Sequence, residues 1–202
     1  MTSMRRLVVA CLFVCCSAIF PTWAKGTCAA QEGSKPQAQL AYLKGDRQTL
    51  TVDCILYALE QLGVERYTPS IETLVQYLDF QRPQKPPVGE VVVALHKPWV
   101  GSEYPAGSAL LEIGEPAVPA LVKAIAESES DLIRKNAAEV IYAIHAGDTP
   151  QAVALLNRAA KSKSSTDWGA SLRLYDAAKG LAAKCLPETR NACMKALFED
   201  RP

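Results

Sequence analysis

The chain has few of the residues that carry out chemistry. It holds two histidines in 202 residues, His96 and His145, and no second histidine or cysteine stands three or four positions from either. It has no GxSxG turn to expose a serine nucleophile and no glycine-rich loop to cradle a phosphate. No CxxC pair is present, so zinc-ribbon spacing is excluded. Charge of one sign is also missing. The 22 basic residues face 21 acidic ones, a formal net charge of +1, which gives no electrostatic argument for a nucleic-acid partner or an anionic membrane surface.

Long apolar runs are scarce as well. The one continuous run spans Leu7 to Phe20, after Arg5 and Arg6 and before Pro21-Thr22-Trp23-Ala24. This is the layout of a secretory signal peptide, and it falls short of the roughly 20 apolar residues a membrane span needs. Cleavage is expected after Ala24, giving an exported chain (periplasmic or extracellular) with no stable membrane insertion once the signal is gone. A retained anchor is the alternative. Cleavage would remove two of the 22 basic residues, none of the 21 acidic ones and three of the seven cysteines.

Four cysteines would remain: Cys28, Cys54, Cys185 and Cys193. An even number in an exported chain suggests disulfides. Of the three possible pairings, Cys28–Cys54 with Cys185–Cys193 closes the shortest loops and is the expected one; buried free thiols are the alternative.

What is abundant is helical periodicity. Residues 1–24 are read as the signal, 25–47 as a flexible lead-in that holds at most a short helix at AQLAYLKG, and 48–202 as the helical domain. In VDCILYALEQLG, Val52, Ile55, Leu56, Leu59 and Leu62 recur at amphipathic-helix spacing, and Gly63 suits a helix end. TPSIETLVQYLDF follows, with Thr68 expected as N-cap and Pro69 in the first turn.

YPAGSALLEIGEPAVPALVKAI carries two prolines in an otherwise helical pattern. It reads as two helices. Ala106, Leu110 and Ile113 face the core, Gly114 stops the first helix, and Pro116 and Pro119 occupy the first turn of the second, where a missing N–H costs little. The second helix would bury Val118, Leu121, Val122 and Ile125. SDLIRKNAAEVIYAIHAG and DTPQAVALLNRAAKS repeat the unit. Counted from Pro69, Pro116 and Pro150, the fifth and sixth residues are Leu74-Val75, Leu121-Val122 and Leu155-Leu156. A fourth, degenerate unit starts at Trp168 and has Pro187 ahead of its second helix. Ile113 and Ile144 are 31 residues apart, while Leu62 and Ile113 are 51 apart. The excess falls in a proline-rich insertion at about 82–104, where Val91 to Val93 reads as an extended strand.

IRKNAAEVIYAI and ALLEIGEPAVPALVKAI resemble HEAT repeats, in particular the short bacterial HEAT-like type related to phycobilisome lyases. Asn136, Tyr142 and His145 depart from that pattern. Tetratricopeptide repeats compete through the 34-residue spacing of Pro116 and Pro150. The resemblance implies an all-α fold, an α-α superhelix (solenoid) of about four helix pairs with the insertion after the first pair. It also implies a role in binding other proteins and, by itself, no catalysis; together with the export signal this leads to the expectation of a protein or peptide partner in the cell envelope, and no cofactor is expected.

On that reading the solvent-facing positions of the second helices, Glu72, Gln76, Lys123, Glu127, Asn157 and Arg158, together with Trp99 and Tyr104 of the insertion, are the candidate partner contacts. Two alternatives stay open: a small hydrolase or metal-dependent enzyme using His96 or His145, and a self-associating structural protein. The acidic run ESESD, Glu127 to Asp131, lacks the spacing and glycine of an EF-hand, and KSKSS reads as a polar connector.

Overall fold

The structure is a computed structural model that describes residues 35–83, 103–146 and 148–198. Among the described residues there are nine α-helices and no strands: α1 (Pro36–Leu43), α2 (Val52–Val64), α3 (Ile71–Gln76), α4 (Pro105–Ile113), α5 (Val118–Glu127), α6 (Asp131–Ile144), α7 (Thr149–Lys163), α8 (Trp168–Ala182) and α9 (Arg190–Phe198). Short 3-10 turns, Thr68–Ser70 and Glu115–Ala117, lead into α3 and α5. The all-α class follows from the 3.6-residue periodicity of the sequence. The expected signal peptide, Cys28, the Val91–Val93 strand, His96 and Trp99 lie outside the described residues.

Helices α2, α4, α6 and α8 pack one on the next in chain order, and α3 packs against α4 and α5. The most extensive contact joins α7 to α8, and α9 closes on both. One continuous core runs through these contacts. It includes Leu59 and Leu62 of α2, Leu110 of α4, Leu121 and Ile125 of α5, Ile141 of α6, Leu156 of α7 and Leu174 of α8. Helix α1 joins it through Leu40 and Leu43, both buried. Among the described residues, packed structure is thus already present in α1, within the 25–47 segment, because two leucines three apart give α1 an apolar edge that α2 covers.

Two devices start the helices. α1, α4 and α5 open with proline in the first turn and no side-chain cap. α6, α7 and α8 are capped: the side chains of Ser130, Asp148 and Asp167 accept hydrogen bonds from the backbone N–H groups of Ile133, Gln151 and Ala170 at 3.3, 3.0 and 2.9 Å. Such caps satisfy N–H groups that the helix leaves open. Thr68, expected as a cap, lies inside a 3-10 turn instead.

Those turns also shift the repeat register. Leu74 and Leu121, fifth after their prolines, are buried, while Val75 and Val122 are half-buried. In α7 the order reverses: Leu156 is buried and Leu155 half-buried. Pro69 and Pro116 sit in 3-10 turns, whereas Pro150 sits in the first α-helical turn. A 3-10 turn advances about 120° per residue against about 100° in an α-helix, so three residues add about 60° and bring the inward position forward.

Gly63 does not end α2, contrary to the sequence expectation. The helix runs to Val64, and the Schellman motif beyond it places Arg66 in the left-handed region at φ 47°. Tyr67 N–H donates to Leu62 O at 3.0 Å and Arg66 N–H to Gly63 O at 2.9 Å. Arg66 is exposed, and its guanidinium stands 3.9 Å from Glu112 in a solvated pair of little energetic worth. Arg66→Gly is therefore expected to raise stability by about 0.5–1 kcal/mol by relieving the left-handed strain. Urea unfolding checks this, and a lowered midpoint contradicts it. Gly114 does stop α4, at φ 77°.

Buried polar side chains tie distant elements together. Asn136 Nδ2 donates to Leu78 O at 2.6 Å. The turn after α3 bonds in the tighter i→i−3 pattern, with Tyr77 N–H on Leu74 O and Leu78 N–H on Val75 O, so α3 is six residues long. The Tyr77 hydroxyl donates to Leu43 O at 2.9 Å. Burial pushes the Tyr77 phenol above its usual range, opposed by the Arg47 guanidinium, which lies 4.8 Å over the ring.

Cys185 and Cys193 are disulfide-bonded, with Cα atoms 6.6 Å apart, and the bond fastens α9 to the end of α8. Cys54 is buried at the start of α2 and is itself disulfide-bonded. A loop as short as that of Cys185–Cys193 constrains the unfolded chain by about 2–3 kcal/mol in the chain-entropy account. Cys185→Ser is expected to make the α8–α9 connection cleave several-fold faster in limited proteolysis. Unchanged cleavage kinetics would show that the disulfide does not hold α9 in place.

Candidate functional site

Five of the positions proposed as partner contacts, Glu72, Gln76, Lys123, Glu127 and Arg158, are exposed. The packing brings two of them together. Lys123 and Glu127, one turn apart on α5, line a groove of about 300 Å³ with Pro119 and Val122 on the same helix. Ala159, Ser162 and Lys163 of α7 form the opposite wall, and Leu174 of α8 lies between. The groove exists because α5 and α7 both pack on α8 and do not close on each other.

Asn157 corrects the sequence reading. It is 4% exposed, and its Nδ2 donates to Ala196 O at 3.1 Å and Leu197 O at 3.2 Å. It holds the last turn of α9, where carbonyls lack helical partners. The sequence pattern makes it solvent-facing, but in α7 the buried face comprises Val153, Leu156, Asn157 and Ala160, and this register turns it inward. Tyr104 is half-buried and acts through its backbone, its carbonyl accepting hydrogen bonds from Gly107 and Ser108 N–H at the start of α4.

A second groove, of about 400 Å³, lies between α6 and α8. Ala138, Ala177, Gly180 and Leu181 give it an apolar floor of small side chains. Its rim is charged, with Arg134, Lys135, Arg173 and Lys184 against Glu139 and Asp176. Lys184 is ion-paired with Glu139, and Arg134 with Asp131. Arg134 Nη1 also donates to Ser128 O, and Arg173 Nε to Ala126 O, both at 2.7 Å. These bonds satisfy carbonyls at the end of α5 and in the turn after it.

The groove does not coincide with the expected contacts, which stand on second helices, whereas it lies between α6 and α8, both first helices in the expected pairing. The signal was present in the paired alanines of RKNAAE and LYDAAKG, next to basic residues.

His145 ends α6, 7% exposed, with Nδ1 3.4 Å from Glu115 Oε1 and with Nε2 buried and unbonded. It lines neither groove. Among the described residues no group of three or more His, Cys, Asp or Glu side chains is arranged to hold a metal ion, and no helix is long and apolar enough to cross a membrane. Comparison with protein-family models, with curated proteins and with solved structures returns no match.

Proposed function

We propose that the chain is an exported, non-catalytic HEAT-like scaffold that binds a protein or peptide partner in the cell envelope. The observation that carries this reading is the successive packing of α2, α4, α6 and α8, with an open groove between α6 and α8 and a second between α5 and α7. Stacked helix pairs bury one face of each helix and offer an extended surface for recognition. The repeated IRKNAAEVIYAI and ALLEIGEPAVPALVKAI patterns support the HEAT-like assignment, and the N-terminal apolar run supports export. The Cys185–Cys193 disulfide suits an oxidising compartment.

The test is photo-crosslinking in the native envelope, with the reactive group at Lys123 or Lys135 and adducts identified by mass spectrometry. The reading expects a defined protein adduct from at least one of the two grooves, absent when the group is moved to exposed Val64 of α2. Identical profiles from all three positions contradict it.

A further inference from the structure

The groove between α6 and α8 has features that define its ligand more narrowly. Its floor is shallowest in side-chain bulk at Gly180, where an added Cβ would meet nothing within 4 Å. An aliphatic side chain from outside can therefore reach the apolar floor of Ala138, Ala177 and Leu181. Glu139 is neutralised by Lys184. Among the described residues Lys135 and Arg173 make no ion pair with a carboxylate, and Asp176 is the only other acid on the rim. The uncompensated charge beside the floor is thus positive.

One turn before Asp176 on α8, Leu172 is 48% exposed, and one turn before that Trp168 is 71% exposed. Together they form an apolar ledge next to the groove, of the residue types that anchor interfaces. From Arg173 to Leu181 the α8 wall runs about 12 Å, a little over two helical turns.

We propose that the α6–α8 groove binds a peptide segment of a partner protein that carries carboxylates around an aliphatic anchor, in the manner of a helix laid in a groove. This rests on the interaction-scaffold reading and names the partner's chemistry. The anchor fills the space above Gly180, and the carboxylates meet Lys135 and Arg173. A bare phosphate would leave the apolar floor uncovered, and a basic peptide would bring like charge to the rim.

Fluorescence anisotropy tests it, using the mature chain and two labelled 16-residue helical peptides, one of Glu and Leu and one of Lys and Leu. The Glu/Leu peptide is expected to bind, and to bind less tightly as salt rises. Gly180→Leu, which fills open space, and Lys135→Glu are each expected to weaken it at least tenfold. Asp176→Lys is expected to tighten it several-fold, and Val64→Glu, at an exposed position of α2 that lines neither groove, to leave it unchanged. Thermal melts of each variant establish that the fold is intact.

Binding of the Lys/Leu peptide at equal affinity, no binding of either peptide, or affinity unmoved by Gly180→Leu and Lys135→Glu overturns the proposal. Loss of binding through Lys123→Glu alone also overturns it, since it moves the ligand to the α5–α7 groove while the scaffold reading stands. The scaffold reading itself fails only through the envelope crosslinking experiment.

Discussion

Leu121→Ala is expected to cost about 2–5 kcal/mol of folding stability. Leu121 is fully buried on α5, and the core around it extends through α4, α6 and α8. Truncation removes the transfer free energy of the lost methyl and methylene groups and leaves a cavity that close-packed neighbours fill only in part. For a domain of this size each kcal/mol lowers Tm by about 2–4 °C. The urea midpoint should fall with the slope of the transition unchanged, since the surface exposed on unfolding is nearly the same. A loss below about 1 kcal/mol would place Leu121 at the surface and with it the whole buried face of α5.

Gly63→Ala should also destabilise, which reverses the usual sign of this substitution. In an unobstructed helix interior, alanine is worth up to about 1 kcal/mol over glycine. At Gly63 the added Cβ would stand 2.7 Å from Ala109 Cα and 3.0 Å from Ala109 Cβ. The obstructing atom is backbone on α4, so relief requires α2 and α4 to move apart along their whole contact. Overpacking of this kind costs about 1–3 kcal/mol, more than the propensity gain.

Gly180→Ala is the internal control. It is itself exposed on α8, with open space around it, and the same substitution there is expected to stabilise by up to about 1 kcal/mol. Opposite signs in matched denaturation curves support the close α2–α4 crossing, and a stabilising Gly63→Ala contradicts it.

These residues show where sequence reading succeeds and where it stops. Leu59, Leu110, Leu121 and Ile125 were legible because helical spacing reports which face a residue shares, and that face became the core. Val52 obeyed the same spacing but sits at the first position of α2, where the stripe ends, and is 42% exposed.

Gly63 reads in sequence as a stop because glycine both ends helices and permits close approach, and only the position of Ala109 separates the two uses. Asn136 and Asn157 bond carbonyls 58 and 39 residues away. Periodicity contains no information about pairings at that distance. Of the candidate contacts, Lys123 and Glu127 share a groove because they are one turn apart on one helix. The α6–α8 groove depends on how two helices separated in the chain by α7 meet, which no single segment encodes.

In the proposed HEAT-like architecture each helix pair is stabilised chiefly by the pair beside it. Native-state hydrogen exchange on Cys185→Ser measures this most directly, because the substitution loosens one end of the row. The account predicts protection lost in α9 and reduced in α7 and α8, with the amides of α2 and α4 unchanged. An equal loss of protection in all helices would mean one indivisible bundle, and would contradict it.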